Sequence, residues 1–266
     1  MPSASSPLAN VEALAFDIFG TVVDWRSSVT DELTLRGFRK SSAEIPRDLR
    51  ERLDSMTEGD WARFAQEWRS SYHYLCHSFD PSRDAWKTID QHHCESLVEL
   101  LGNWDLAGLF SDSEITSLSL VWHRLNPWPD SPLGIEKLGE TYVTATLSNG
   151  NGNLLRDLND FGALGFQKLL SAEMFEAYKP SPIVYNGAVR RLGLEPGKVA
   201  MVAAHLGDLH AARECGLRTI YVERPGEESW SKDDDKYKEA RDWVDLWVSE
   251  EEDGLLTVVK KLSELQ

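Results

Sequence analysis

An apolar run, Ala13-Leu14-Ala15-Phe16, ends in a single aspartate, Asp17, and a Gly20-Thr21 turn follows within four residues. A carboxylate at the C-terminal tip of a buried strand stands in the crevice where open α/β sheets bind their ligands. That place suits a nucleophile, because a carboxylate attacking carbon forms an ester and divides one hard hydrolysis into two easier steps. The plainer reading of a lone strand-end Asp is a cap on the next turn. Thr21 is placed to hydrogen-bond the carboxylate or to cap the following helix. Two residues after Asp17 stands Phe19, which can neither donate nor accept a proton.

Three later segments add polar groups at further strand ends. Thr144-Ala145-Thr146-Leu147 runs into Ser148-Asn149-Gly150 and on into Asn151-Gly152-Asn153. The side chains and backbone N–H groups of Ser148 and Asn149 can bind an anion, or simply shape a turn. Lys179-Pro180 precedes Val184-Tyr185, and Met201-Val202-Ala203-Ala204 precedes His205-Leu206-Gly207-Asp208. Taken in order and spacing, with Ala211-Ala212 and Gly216-Leu217 downstream, the four segments resemble the motifs of the haloacid dehalogenase (HAD) superfamily over residues 11 to about 222.

Two departures narrow the resemblance. Phosphatases of that superfamily carry a second Asp two residues after the nucleophile, and two acids in the fourth motif that hold Mg²⁺. Here those places are Phe19 and, for the first fourth-motif acid, Ala204; Asp208 is kept. A hard octahedral cation needs oxygen ligands, and phosphoryl transfer depends on that cation. The pattern is closer to the L-2-haloacid dehalogenase branch, which uses no metal and attacks an sp³ carbon.

The resemblance implies a role for each matching residue. Asp17 attacks C2 of a short 2-haloacid with inversion. Lys179 keeps Asp17 ionised, and Tyr185 bonds the substrate or the lysine, or else is a helix aromatic. Ser148 and Asn149 hold the carboxylate. Arg69, in Trp68-Arg69 with Tyr72 three residues on, receives the halide; Arg63 and Arg47 are the alternatives. Phe19, Trp61, Trp68 and Tyr72 are candidates for an apolar wall. Where dehalogenases read Ser-Ser-Asn-x-x-Asp, this chain has Ala203-Ala204-His205-Leu206-Gly207-Asp208. His205 is then the candidate base that opens the ester, or a buried hydrogen-bonded histidine. No cofactor and no metal are implied, and family members often pair as homodimers.

Two other readings stay open: a HAD-type phosphatase or phosphonate hydrolase acting on a small metabolite, and a non-catalytic HAD-like binding protein. Stimulation by Mg²⁺ favours the first. Ligand binding without turnover favours the second.

The elements that must position these residues follow from periodicity. A strand is expected at 11–17. Between about 24 and 110 the texture is helical, with Trp61, Phe64, Ala65, Trp68, Tyr72 and Leu75 at three- and four-residue spacing. Strand–helix alternation returns at 141–147, 154–161, 166–170, 181–193, 198–203, 208–216 and 217–222. An edge strand is expected within 243–248 and a final helix at about 254–265. The expected architecture is α/β: a Rossmann-like parallel-sheet core of the HAD type, residues 10–23 and 111–266, with a helical cap, residues 24–110, inserted after the first strand.

The chain has 266 residues and a formal net charge of −16. Residues 223–253 hold thirteen Asp/Glu against five Lys/Arg, and the stretch 224–236 reads as an exposed, solvated loop. Such a balance argues against nucleic acid and anionic membranes as partners. It also requires an anionic substrate to be held by local cations. Three cysteines, Cys76, Cys94 and Cys215, show neither pairing nor metal spacing, which suggests reduced thiols and a cytoplasmic home. The first ten residues are small and polar, unlike a signal peptide, and no apolar run approaches eighteen residues.

Overall fold

The computed structural model describes residues 6–265, so half of the small, polar N-terminal stretch lies outside the described residues. Its centre is β1 (Ala13–Phe16), four residues buried on both faces. Such a strand reads as an unbroken apolar run because parallel sheets are covered on both sides. The chain then forms a tight turn, Gly20 at φ +84°, and a short strand β2 (Val23–Asp24).

Five helices follow: α1 (Trp25–Ser41), α2 (Arg47–Asp54), α3 (Glu58–Ser78), α4 (Ile89–Asn103) and α5 (Asp112–Ser119). The helical block thus runs some nine residues past the expected end at 110. In α3 a capping box between Thr57 and Asp60 fixes the start. Its buried face carries Trp61, Phe64, Ala65, Trp68, Arg69, Tyr72 and Cys76, so the periodicity that marks the helix also aims Arg69 inward. The return passes through β3 (Asn126–Pro127), antiparallel to β2, and α6 (Ser131–Gly139).

The alternating half then runs β4 (Val143–Ser148), α7 (Gly152–Phe161), β5 (Lys168–Ser171), α8 (Pro182–Leu192), β6 (Val199–Ala203), α9 (Leu206–Glu214), β7 (Arg218–Val222), α10 (Asp235–Trp243), β8 (Leu246–Val248) and α11 (Gly254–Ser263). The six-stranded sheet has the order β5-β4-β1-β6-β7-β8 and every pairing is parallel. The chain moves outward from β1 through β4 and β5, then crosses back to β6 on the other side of β1. The tips of β4, β1 and β6 therefore flank the switch point, where such sheets hold their ligands.

The segment after β7 departs from expectation. Asp233 to Asp235 are exposed, but Glu223 and Arg224 are each only 8% exposed and Glu227 turns inward. Opposite partners make this burial tolerable. Arg224 grips Asp130 with two bonds, 2.8 and 2.7 Å, and donates from Nε to the carbonyl of Thr21. Asp130 also accepts from the backbone of Leu255 at the start of α11. One buried pair thus ties the turn after β1 to α6 and α11. A charge count along the chain carries no information about such partners.

Among the described residues no helix is long and apolar enough to cross a membrane. The three cysteines are free, Cys76 buried and the other two partly so.

Removing one partner of a buried ion pair leaves an uncompensated charge and costs about 3–5 kcal/mol. Asp130→Ala is therefore expected to lower the unfolding free energy by about that amount, measured by urea titration. A loss below about 1 kcal/mol is what a solvated surface pair gives, and contradicts this role.

Candidate active site

Asp17 follows β1 directly, and its backbone N–H donates to Val202 of β6, the last rung before the strands part. The residue is 7% exposed, and its side chain has three partners. Oδ1 accepts from Lys179 Nζ at 2.9 Å; Oδ2 accepts from Thr21 Oγ1 at 2.9 Å and lies 3.1 Å from His205 Nδ1. Burial alone raises a carboxylate's pKa, yet the charges of Lys179 and His205 outweigh it and hold Asp17 far below the usual range. Of the two functions its position suggests, Thr21 performs the first: its hydroxyl donates to Asp17 and accepts from the N–H of Ala204, while the following helix α1 is capped by Asp24.

Lys179 bridges two carboxylates, with Asp208 Oδ2 at 2.6 Å from its ammonium. Burial works against its charge, but Asp17 and Asp208 more than offset this and raise its pKa. Asp208 lies in the first turn of α9; burial and the neighbouring Asp17 charge push its pKa up. The Tyr185 hydroxyl donates to Asp208 Oδ1 at 2.6 Å, and its side chain lies in the cavity lining. Asn149 clamps the lysine backbone: its Oδ1 accepts from Lys179 N–H at 2.7 Å and its Nδ2 donates to the Lys179 carbonyl.

These groups open onto a cavity of about 650 Å³, lined among others by Asp17, Arg69, Asn149, Lys179, His205 and Asp208. Arg69 is 3% exposed, and its Nε and Nη1 have no hydrogen-bond partner among the described residues. Its guanidinium lies 4.3 Å from the ring centre of Tyr72, 5.1 Å from Phe19 and 5.6 Å from Trp25. Aromatic faces hold a cation without consuming its N–H groups. The alternatives are elsewhere: Arg63 and Arg47 are solvent-exposed and pair with Asp60 and Glu51 on their own helices.

Several sequence candidates stand outside the cavity lining. Ser148 is fully buried, and its hydroxyl accepts from the N–H of Gly150, shaping the turn. Phe19 is buried beneath Arg69, edge-on to Tyr72 and Trp122. Trp61 and Trp68 are helix core; of the proposed aromatic wall only Tyr72 lines the cavity. The polar turn after β4 also docks the helical block, since Asn151 exchanges hydrogen bonds with Asp90 at the start of α4.

The structure adds residues that periodicity did not single out. Trp25, Arg26, Gln66, His73 and Glu227 line the cavity. Desolvation against the cavity wall and the nearby Arg69 charge lower the His73 pKa. Glu227 sits behind His205, its Oε2 at 3.3 Å from Nε2 and accepting from Trp25 Nε1 at 3.1 Å. The one available signal for it was position, since loops after strand tips face the crevice. Gly20 is required by its φ of +84°, which strains any L side chain, and the Glu227 carboxylate packs where a Cβ would stand.

A family model described as haloacid dehalogenase-like hydrolase matches residues 11–216. The chain belongs to that family. The (S)-2-haloacid dehalogenase 4A of Burkholderia cepacia is 30% identical over 228 residues, covering 82% of this chain and 85% of the relative. A crystal structure of the L-2-haloacid dehalogenase PA0810 superposes with a TM-score of 0.77 at 33% identity, covering 96% of this chain and 99% of its own. A defluorinating L-2-haloacid dehalogenase, Rha0230, superposes with a TM-score of 0.78 at 30% identity, covering 98% and 99%. In this HAD-like hydrolase the parallel sheet, its order and the tips that carry Asp17, Asn149 and His205 match the fold the family motifs imply.

The pH dependence of stability reports the charge on His205. Burial disfavours the imidazolium, but bonds to Asp17 and Glu227 prevail and push the pKa up to about 10. A raised folded pKa contributes stability fully below the unfolded value of about 6.5, and that contribution is lost as pH rises toward the folded value. The stability advantage of the native chain over His205→Gln should therefore be constant below about pH 6 and shrink steadily above it. An advantage that grows with pH in urea titrations contradicts the charged state.

Proposed function

We propose that this protein hydrolyses short 2-haloacids to 2-hydroxy acids through an aspartyl ester on Asp17, with inversion and without a metal. The observation that carries this reading is the pairing of two features in one cavity. Asp17 is kept anionic by Lys179, and Arg69 presents a guanidinium with unpartnered N–H groups over aromatic rings. The first is a nucleophile; the second is a receiver for charge that appears only as the carbon–halogen bond breaks. The relatives' names as (S)-2-haloacid and L-2-haloacid dehalogenases support the substrate class.

In the first half-reaction Asp17 attacks C2 from the side opposite the halogen. The substrate carboxylate lies toward Asn149 and the turn it stands on. Halide collects at Arg69, and Tyr72 and Trp25 keep that end of the cavity apolar. In the second half-reaction water attacks the Asp17 carbonyl carbon beside His205, and the alkyl oxygen leaves as the 2-hydroxy acid. Lys179 and Asp208 hold the Asp17 carboxyl in place throughout.

The donor set supports a route without a metal. Phe19 and Ala204 bring no oxygen where phosphatase relatives place acids, and the Lys179 ammonium occupies the space between Asp17 and Asp208. The chain is acidic as a whole, so cations at the cavity, Arg69 and Arg26 among them, must receive an anionic substrate locally.

Halide and proton release from (S)-2-chloropropionate, but not from the R isomer, is the expected result with EDTA present throughout. Release from neither, with p-nitrophenyl phosphate turned over once Mg²⁺ is restored, contradicts it. In addition, His205→Asn should still be alkylated at Asp17 while ester hydrolysis slows by about 10²–10⁴-fold, the usual worth of a general base. Normal turnover by this variant removes His205 from the mechanism.

A further inference from the structure

A histidine with a carboxylate on each ring nitrogen must donate from both, and an imidazolium has no lone pair with which to take a proton. His205 is in that state: Nδ1 faces Asp17 at 3.1 Å and Nε2 faces Glu227 at 3.3 Å. It therefore cannot serve as a base in the resting protein. The acidic segment after β7 supplies the way out. Glu227 is 5% exposed in its side chain, and is held by Trp25 Nε1 at 3.1 Å and by Arg26 at 3.6 Å. It packs against the turn at Gly20, where a Cβ would otherwise stand. Glu228 fixes the same backbone from the next position, accepting from the N–H of Leu206 at the start of α9 at 2.7 Å. A surface loop has no physical reason to bury one carboxylate against a histidine and spend the next on the helix that presents it.

We propose that Glu227 is the positioning residue that converts His205 from a charged partner of Asp17 into the base that opens the Asp17 ester. This rests on the dehalogenase reading above. Ester formation neutralises Asp17 and releases halide, so His205 loses one of its two anionic partners. The Nδ1 proton then leaves through the cavity to solvent as the single proton of the overall reaction. Glu227 keeps its bond to Nε2–H, so the neutral tautomer left behind carries its lone pair on Nδ1, facing the ester. Water adds to the Asp17 carbonyl carbon and its proton passes to Nδ1. The resulting imidazolium is again stabilised by Glu227. The tetrahedral carbon expels the alkyl oxygen, which takes the remaining carboxyl proton and departs as the 2-hydroxy acid. Asp17 is again a carboxylate, and His205 is again charged between two anions. The orienting carboxylate of hydrolytic triads acts on its histidine in the same physical way.

The test separates the two half-reactions in Glu227→Gln, with (S)-2-chloropropionate as probe. About one equivalent of halide should appear in a burst while steady turnover falls at least tenfold, a loss within the range of general-base effects. Intact-protein mass spectrometry should find the ester accumulated, and Glu227→Asp should recover part of the turnover. Wild-type turnover in Glu227→Gln overturns the proposal. A folded variant that has lost the burst as well overturns it too, because Glu227 then serves the first half. A second measurement uses the unaltered protein. In acid-quenched single turnovers, protons released should equal trapped ester plus product. Protons equal to product alone overturn the proposal whatever the variant does. Should the unaltered protein release no halide from any 2-haloacid, the dehalogenase reading itself has failed, which is a different result from any of these.

Discussion

A carboxylate that must stay charged while nearly excluded from water is the constraint on which this structure turns. Burial of an unpaired anion costs several kcal/mol, and Asp17 at 7% exposure meets that cost with Lys179, Thr21 and His205. Each of these is held in turn. Asn149 fixes the backbone of Lys179, Asp208 and Tyr185 anchor its ammonium, Ala204 orients Thr21, and Glu227 backs His205. The supports come from the tips of β1, β4 and β6, from the approach to α8, and from the loop after β7. Only the reversal of strand order beside β1 brings those points together.

Arg69 poses the complementary problem. A buried guanidinium with open N–H groups is costly unless something will use them. Aromatic rings from two helices and the turn after β1 lower that cost without closing the site. The protein thus carries a paired anion and an unpaired cation in one cavity, an arrangement suited to separating charge along a breaking carbon–halogen bond.

Much of this could be read from residues alone, for identifiable reasons. Asp17 stood out because a buried strand ended on it. Arg69 followed from the resemblance of Trp68-Arg69 and Tyr72 to the family's cap helix, and the phase of α3 turns it inward. Lys179 and Asp208 came from motif spacing. What failed was partner choice. Ser148 was expected to hold substrate, but it is buried off the cavity with its hydroxyl on Gly150 N–H; Asn149 and Tyr185 do line the cavity, yet their polar atoms also serve the Lys179 backbone and Asp208. Residue type gives a side chain's capacity to bond and says nothing of who stands nearby. Glu227 was hidden for the same reason at larger scale. Loops have no period, and among the thirteen acids of residues 223–253 those that turn inward look like their neighbours.

The most direct test of the Asp17 ester is a single turnover, with protein in excess over (S)-2-chloropropionate, in water labelled with heavy oxygen. The account predicts that the label enters the Asp17 carboxylate and is absent from the first 2-hydroxy acid released, because water attacks the carbonyl carbon of the ester and the alkyl oxygen comes from the protein. Label found directly in the hydroxy acid of that first turnover would mean that water attacks C2 itself, and would contradict the role of Asp17 as nucleophile.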